Sequence, residues 1–257
     1  MLRINDWVKF YMPIPLLGAF LAHGAPSQVL IITIIYLCLI GYAFVVNNYF
    51  DVEIDRLHRQ KVECNKNPLA NGMVSRRGVL VLMLLQIAVA LVCSLLLSEA
   101  GSVLVVLNLL LVTAYSASHI RLKERLGWDI ISHGLMFGAV PFLAGFSLSQ
   151  GRLTGEIVLP SVFFFVIASE ALLAHQITEY AEDVKATNTT VTMIGQKKGL
   201  SLLGAFVAAS LMILSVIAYQ HQVPLLAVAV LACYLLVYPT YSCRGVFFDI
   251  GYRASTE

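Results

Sequence analysis

The chain alternates long apolar runs with short or charged breaks, and the run lengths predict helices that cross a bilayer. Eight apolar stretches stand out, at residues 10–24, 28–47, 78–97, 101–117, 129–149, 155–175, 199–219 and 223–242. Crossing roughly 30 Å of hydrocarbon takes about 20 apolar residues as helix. Open strands would leave backbone groups unpaired in lipid, so helices are the reading. Pro13 and Pro15 in the first run predict a kinked or broken helix. The connections alternate in size. Ala25-Pro26-Ser27, Ser98-Glu99-Ala100 and Gln220-His221-Gln222 are tiny, whereas those after the second, fourth and sixth runs are long and polar. The pattern predicts an all-α membrane protein. It is an eight-span helical bundle in two four-helix halves, one domain over residues 1–257, with a central cavity opening to the cytoplasmic side.

Composition sharpens this picture. The chain is 59% hydrophobic and only 12% charged, against about 25% charged in soluble domains. Cys38, Cys64, Cys93, Cys233 and Cys243 are scattered without CxxC spacing, which implies neither a disulfide framework nor a zinc site. The first apolar run lacks an A-x-A-type cleavage site and reads as a retained span. A net charge of +2 gives no reason to expect a nucleic-acid partner. The distribution of charge says more. With eight spans, every one of the 17 Lys and Arg residues except Arg152 falls on one side. Basic loops stay in the cytoplasm, so both termini and all three long loops are expected there, in an integral, multi-pass protein.

Two of the long loops begin with acids at helical spacing. The second run ends Asn47-Asn48-Tyr49-Phe50-Asp51-Val52-Glu53-Ile54-Asp55-Arg56. The sixth ends His175-Gln176-Ile177-Thr178-Glu179-Tyr180-Ala181-Glu182-Asp183. Asp51 and Asp55, and again Glu179 and Asp183, are i and i+4 and share a helix face. The two clusters superpose residue for residue, Asn47 on His175, Asn48 on Gln176, Asp51 on Glu179 and Asp55 on Asp183. Charges at the membrane edge are costly and usually functional. Two acidic pairs facing one cavity suit hard cations such as Mg²⁺, which takes one or two carboxylates, keeps several waters and bridges to substrate phosphates. Amides such as Asn47 and Asn48 can complete that shell. Arg56, Lys61, Lys66, Arg121, Lys123, Arg125 and Lys185 on the same loops supply positive charge for a phosphate. Acids for metal and bases for phosphate, at the mouth of an apolar bundle, describe a binder of a lipid-like diphosphate. Each basic residue taken alone also reads as a topology determinant or headgroup contact.

Three segments, in order, resemble the UbiA-type family of intramembrane prenyltransferases. Asn47-Asn48-x-x-Asp51-x-x-x-Asp55 is similar to that family's N-D-x-x-D-x-x-x-D, with Asn67-Pro68-Leu69-Ala70-Asn71-Gly72 in place of R-P-L-P-S-G. Tyr115-Ser116 followed by Arg121-Leu122-Lys123-Glu124-Arg125 resembles Y-S-x-x-x-x-R-L-K-x-R. His175-Gln176-Ile177-x-Glu179-x-x-x-Asp183-x-x-Ala186-x-x-x-Thr190 is similar to H-Q-I-x-D-x-x-x-D-x-x-A-G-x-x-T. The resemblance implies an enzyme that binds an isoprenyl diphosphate through two Mg²⁺ ions held by Asn48, Asp51, Asp55, Glu179 and Asp183. The four acids would be catalytic, and Asn47, Arg56, Lys61, Lys66, Tyr115, Arg121, Lys123, His175 and Gln176 would bind substrate. Metal and basic residues would stabilise charge on the departing diphosphate, and a small-molecule acceptor, aromatic or polar-lipid, would capture the allylic cation. The chain departs from the pattern at Asn48, where the family has Asp, at Asn67, where it has Arg, at Glu179 for Asp and at Thr187 for Gly. Eight spans are read where the family has nine. A terpene cyclase would need the same ionisation machinery without an acceptor, and a non-catalytic prenyl-lipid binder would need only the cavity.

Three further features of the apolar runs are of interest. Asn108 and Tyr115 are seven apart and share a face. Asp129 and His133 form an i, i+4 pair opening the fifth run, which reads as a helix-start Asp satisfied by its own His. Glu170 is the least expected charge in lipid, and a role in deprotonating an acceptor is one reading for it.

Overall fold

Pro13 and Pro15 break the first span. Helix α1 (Ile4–Tyr11) ends at Met12, and α2 (Pro13–Leu21) starts on a proline, where a missing N–H costs no helical bond. The computed structural model describes residues 1–57, 66–221 and 223–246. Among these there are helices and turns and no strand.

The remaining elements follow the apolar runs. They are α3 (Pro26–Phe50), α4 (Val52–Leu57), α5 (Arg76–Leu95), α6 (Glu99–Ser116), α7 (Trp128–Gly134), α8 (Val140–Leu148), α9 (Val158–Thr178), α10 (Tyr180–Asp183), α11 (Thr190–Ile194), α12 (Gln196–His221) and α13 (Leu225–Ser242). Among the described residues seven helical stretches are long and apolar enough to cross a membrane, and Trp7–Leu21 is a shorter apolar one. Ser75 and Ser98 cap α5 and α6, their hydroxyls accepting from Gly78 N at 3.1 Å and Gly101 N at 3.3 Å.

The chain divides into two units, and the division falls inside the fifth apolar stretch rather than before it. The first unit holds residues 1–122 and 135–154, the second 123–134 and 155–257. A π-helical turn, Leu135–Ala139, separates α7 from α8. Pro141 follows two residues later and its ring excludes the carbonyl four residues back, which widens the turn before it. The partition is therefore not the four-plus-four halving expected from run lengths.

In the first unit α2 and α8 touch backbone to backbone. A Cβ on Gly145 would stand 1.9 Å from Pro15 O, and one on Gly18 would stand 2.1 Å from Phe142 O. Small residues permit this approach, which drives helix association where lipid removes the hydrophobic incentive. Helix α3 packs on α5 and α6, and α6 also packs on α8. In the second unit α9 packs on α7 and α12, and α12 on α13. Leu225, Leu226 and Tyr219 on the last two helices are exposed, an apolar surface suited to lipid.

Candidate active site: two acid-bearing helix ends

In the first unit the acids sit where α3 gives way to α4. Asp51 is the C-cap of α3, its N–H donating to Asn47 O at 3.0 Å, and Asp55 N donates to Asp51 O at 2.8 Å. The near-continuous helix places the two carboxylates one turn apart. Both are buried, 7% and 3% exposed, so neither is a solvated loop charge. Arg121 Nη2 lies 3.3 Å from Asp51 Oδ1. Arg121 holds this position with a left-handed backbone, φ 47, a conformation that costs a residue bearing a Cβ and tends to persist at functional sites.

A polar seam leads along α3 and α6 to this point. Tyr36 stands beside Asn108. Tyr42 Oη and Thr113 Oγ1 are hydrogen-bonded at 2.8 Å, and Ser116 Oγ donates to Asn47 Oδ1 at 3.2 Å. Both helices advance in the same direction from pair to pair, so they run parallel and deliver Asp51 and Arg121 together. Tyr115 is half-buried on the same helix.

The first loop returns through Asn67. Its Nδ2 donates to Asp55 Oδ2 at 2.9 Å and to the Asn48 backbone carbonyl at 2.7 Å. Its Oδ1 accepts from Leu69 N at 3.2 Å. The Asn48 side chain is buried and its Nδ2 reaches Lys66 O at 3.5 Å. Leu69 then packs with Val45, Val52 and Val79. Asn48 and Asn67, the two departures from the motif in this loop, thus meet. Together they remove one charge of each sign relative to an Asp and an Arg. Arg56 is exposed, paired with Glu53 at 3.0 Å and donating to Ala70 O at 3.2 Å. Lys66 is half-buried, and Lys61 lies outside the described residues.

In the second unit Glu179 is the C-cap of α9, and Asp183 closes α10. Their backbones repeat the first motif: Glu179 N donates to His175 O at 3.0 Å and Asp183 N to Glu179 O at 2.9 Å. The Glu179 side chain is 41% exposed and lies 3.4 Å from His175 Nε2, which is itself exposed. Gln176 is buried instead. Its Nε2 donates to Asp129 Oδ2 at 2.8 Å and its Oε1 accepts from Val191 N at 3.3 Å. The expected Asp129–His133 pair is not formed, because the Asp129 carboxylate accepts from Gln176, Thr190 and Ile130 N. His133 Nδ1 pairs with Ala168 O at 3.0 Å. Lys123 lies in the 3-10 turn Leu122–Glu124. Glu170 is buried on α9, and among the described residues its Oε1 has no hydrogen-bond partner.

The donor set can be tested against a metal. Among the described residues no three His, Cys, Asp or Glu side chains gather at ligating distance. Each motif offers a carboxylate pair and no thiolate. That matches Mg²⁺, which needs only one or two protein carboxylates and completes its shell with water and phosphate, and it does not match zinc.

An all-helical membrane protein with an acid pair at the ends of two apolar helices is the class these features define. The chain belongs to the UbiA prenyltransferase family, whose model matches residues 11–245. A digeranylgeranylglyceryl phosphate synthase of Natronomonas pharaonis is 26% identical over 204 residues, 76% of this chain and 68% of that protein. The fold is also that of a UbiA homologue of Archaeoglobus fulgidus solved with GPP and Mg²⁺, with TM-score 0.77, 19% identity, and 93% of this chain and 83% of that one covered. The apo structure of a UbiA homologue of Aeropyrum pernix K1 gives TM-score 0.80 and 19% identity over 95% and 91%.

Proposed function

We propose that this chain is a Mg²⁺-dependent integral-membrane prenyltransferase that ionises an isoprenyl diphosphate and transfers the prenyl group to an aromatic or other small-molecule acceptor. The observation that carries the reading is the buried pair Asp51 and Asp55, held at a helix end by Arg121 and Asn67, in a chain of this family. Burial without functional gain is costly for two acids one turn apart.

In this reading Asp51, Asp55, Glu179 and Asp183 would hold two Mg²⁺ ions, with the side-chain amide oxygen of Asn48 a further donor. Held by these side chains, Mg²⁺ would supply positive charge against the departing diphosphate. Arg121 shares its guanidinium between Asp51 and a phosphate oxygen, and Lys66, Lys123, Arg56 and Lys61 add positive charge. Asn47, Tyr115 and His175 line the approach to the reacting carbon. The Archaeoglobus homologue solved with GPP and Mg²⁺ supports the substrate class. The name of the Natronomonas relative supports a glyceryl phosphate lipid as the acceptor to try first. Both termini and the acidic loops are assigned to the cytoplasm, supported by the single basic residue, Arg152, on the opposite side.

The test is a product assay in nanodiscs with isoprenyl diphosphates of several lengths, with and without prenylated glyceryl phosphate and aromatic acceptors. Prenylated acceptor formed only with Mg²⁺ is the expected result. A cyclic hydrocarbon or alcohol formed from the diphosphate alone contradicts the transferase reading in favour of a cyclase.

A further inference from the structure

The second acidic motif is carried on a segment pinned at both ends to one buried carboxylate. Asp129 is fully buried. Its Oδ2 accepts from Gln176 Nε2 at 2.8 Å and from Thr190 N at 2.7 Å, while Oδ1 accepts from Ile130 N at 2.9 Å and from Thr190 Oγ1. Gln176 precedes Glu179 by less than a turn, and Thr190 opens α11 after the loop has returned. Three more contacts close the ring. Gly127 N donates to Thr190 Oγ1 at 2.7 Å, Val191 N to Gln176 Oε1 at 3.3 Å, and Gln196 Nε2 to Ile177 O at 3.0 Å. Gly127 has φ 76, a left-handed turn that a residue with a Cβ resists. Beneath the clamp Val191 is buried with Ile130, Leu173, Ile177 and Leu203. Between the two pins, Glu179, Asp183 and Lys185 are half-buried or exposed.

We propose that Asp129 is a positioning residue for Glu179 and Asp183, acting through Gln176 and Thr190 to fix the loop that presents them. The proposal rests on the reading of those two acids as Mg²⁺ ligands. The physical reason is economy of constraint. Ligand acids that remain solvated keep their hydration until metal binds, so their geometry must come from their anchors. A carboxylate can accept several donors at once, and a buried one that does so holds each of them strongly. Removing its charge leaves buried donors facing an amide N–H₂, and both ends of the loop are released together. The clamp is also the counterpart of the first loop, where Asn48 and Asn67 tie the return of the chain beside Asp55. Asn48 and Gln176 occupy equivalent places in the two motifs, and each contacts the returning end of its own loop.

The experiment uses Asp129→Asn, Thr190→Val and the double variant, each in nanodiscs, with Asp183→Ala alongside. Lys185 is the single Lys or Arg between Arg152 and Lys197, so trypsin cleavage there reports release of the loop without metal or substrate. The second readout is the Mg²⁺ concentration giving half-maximal diphosphate release. Expected are cleavage at Lys185 about tenfold faster in Asp129→Asn, a several-fold higher Mg²⁺ requirement, and turnover largely recovered at saturating Mg²⁺. Thr190→Val should show both effects more weakly, because its backbone N–H still reaches Asp129, and should add little in the double variant. Thr190→Val also decides the matter if Asp129→Asn does not fold. Unchanged Lys185 cleavage, or an unchanged Mg²⁺ requirement in a folded variant, overturns the proposal. Retained activity in Asp183→Ala overturns the metal reading instead, and leaves the cleavage result standing as a fact about the loop.

Discussion

Arg121 joins backbone strain to charge. Its guanidinium meets Asp51 at 3.3 Å from a left-handed backbone. Arg121→Gly and Arg121→Ala both lose the ion pair, yet only glycine relieves the backbone. Thermal unfolding should therefore find the glycine variant more stable by about 1 kcal/mol, while both release diphosphate more slowly than the parent. Equal stability would mean that the turn at Ala117–Arg121 carries no strain. Asn67 gives a second residue-scale prediction. Asn67→Ala takes a donor from buried Asp55 and from the Asn48 carbonyl, which costs about 1–3 kcal/mol of stability. It should also raise the Mg²⁺ requirement, measured by titration of diphosphate release. At this scale the sequence was least legible. Asp51, Asp55, Glu179 and Asp183 declare themselves by i, i+4 spacing. Gln176 does not, because its partners Asp129 and Thr190 come from distant positions, and a neighbour of exposed His175 gives no sign of facing inward. A helix turns about 100° per residue, so adjacent residues such as His175 and Gln176 can face different environments. The Asp129–His133 spacing suggested a local pair that a longer-range donor set displaced.

At the scale of elements, the seven apolar runs from residue 28 onward coincide with helical stretches long and apolar enough to cross a membrane, because hydrocarbon thickness sets their length. The proline pair was enough to break the first one at Met12. The interruption of the fifth span was not legible. Its π turn depends on where Pro141 falls relative to the packing of α8 on α2, and that packing is made by glycines whose partners are unknowable from spacing. The contact itself is testable. Gly145→Ala would place a Cβ 1.9 Å from Pro15 O, a backbone atom that cannot rotate away. The expected result is a loss of about 1–3 kcal/mol or more in thermal stability. Gly204→Ala is the control, since nothing lies within 4 Å of a Cβ there, and it should be neutral or slightly stabilising because it sits in α12.

At the scale of the whole molecule, this chain of the UbiA family has two units, each with its own acid-bearing helix end and its own returning loop. Sidedness is a prediction at this scale. In a background without native cysteines, Arg152→Cys should react with an impermeant maleimide from outside the cell, and Lys185→Cys only after the cytoplasmic face is opened. Reversed labelling would contradict the assignment. The central claim is that both acidic motifs serve one Mg²⁺-dependent ionisation. Diphosphate release from an isoprenyl diphosphate tests it most directly, with the parent protein, Asp51→Ala and Asp183→Ala compared at equal folded amounts. The account predicts release by the parent only with Mg²⁺, and loss of at least about a hundredfold in each variant, as for an electrostatic group acting in the transition state. Full release in either variant, or release by the parent in excess chelator, would contradict it.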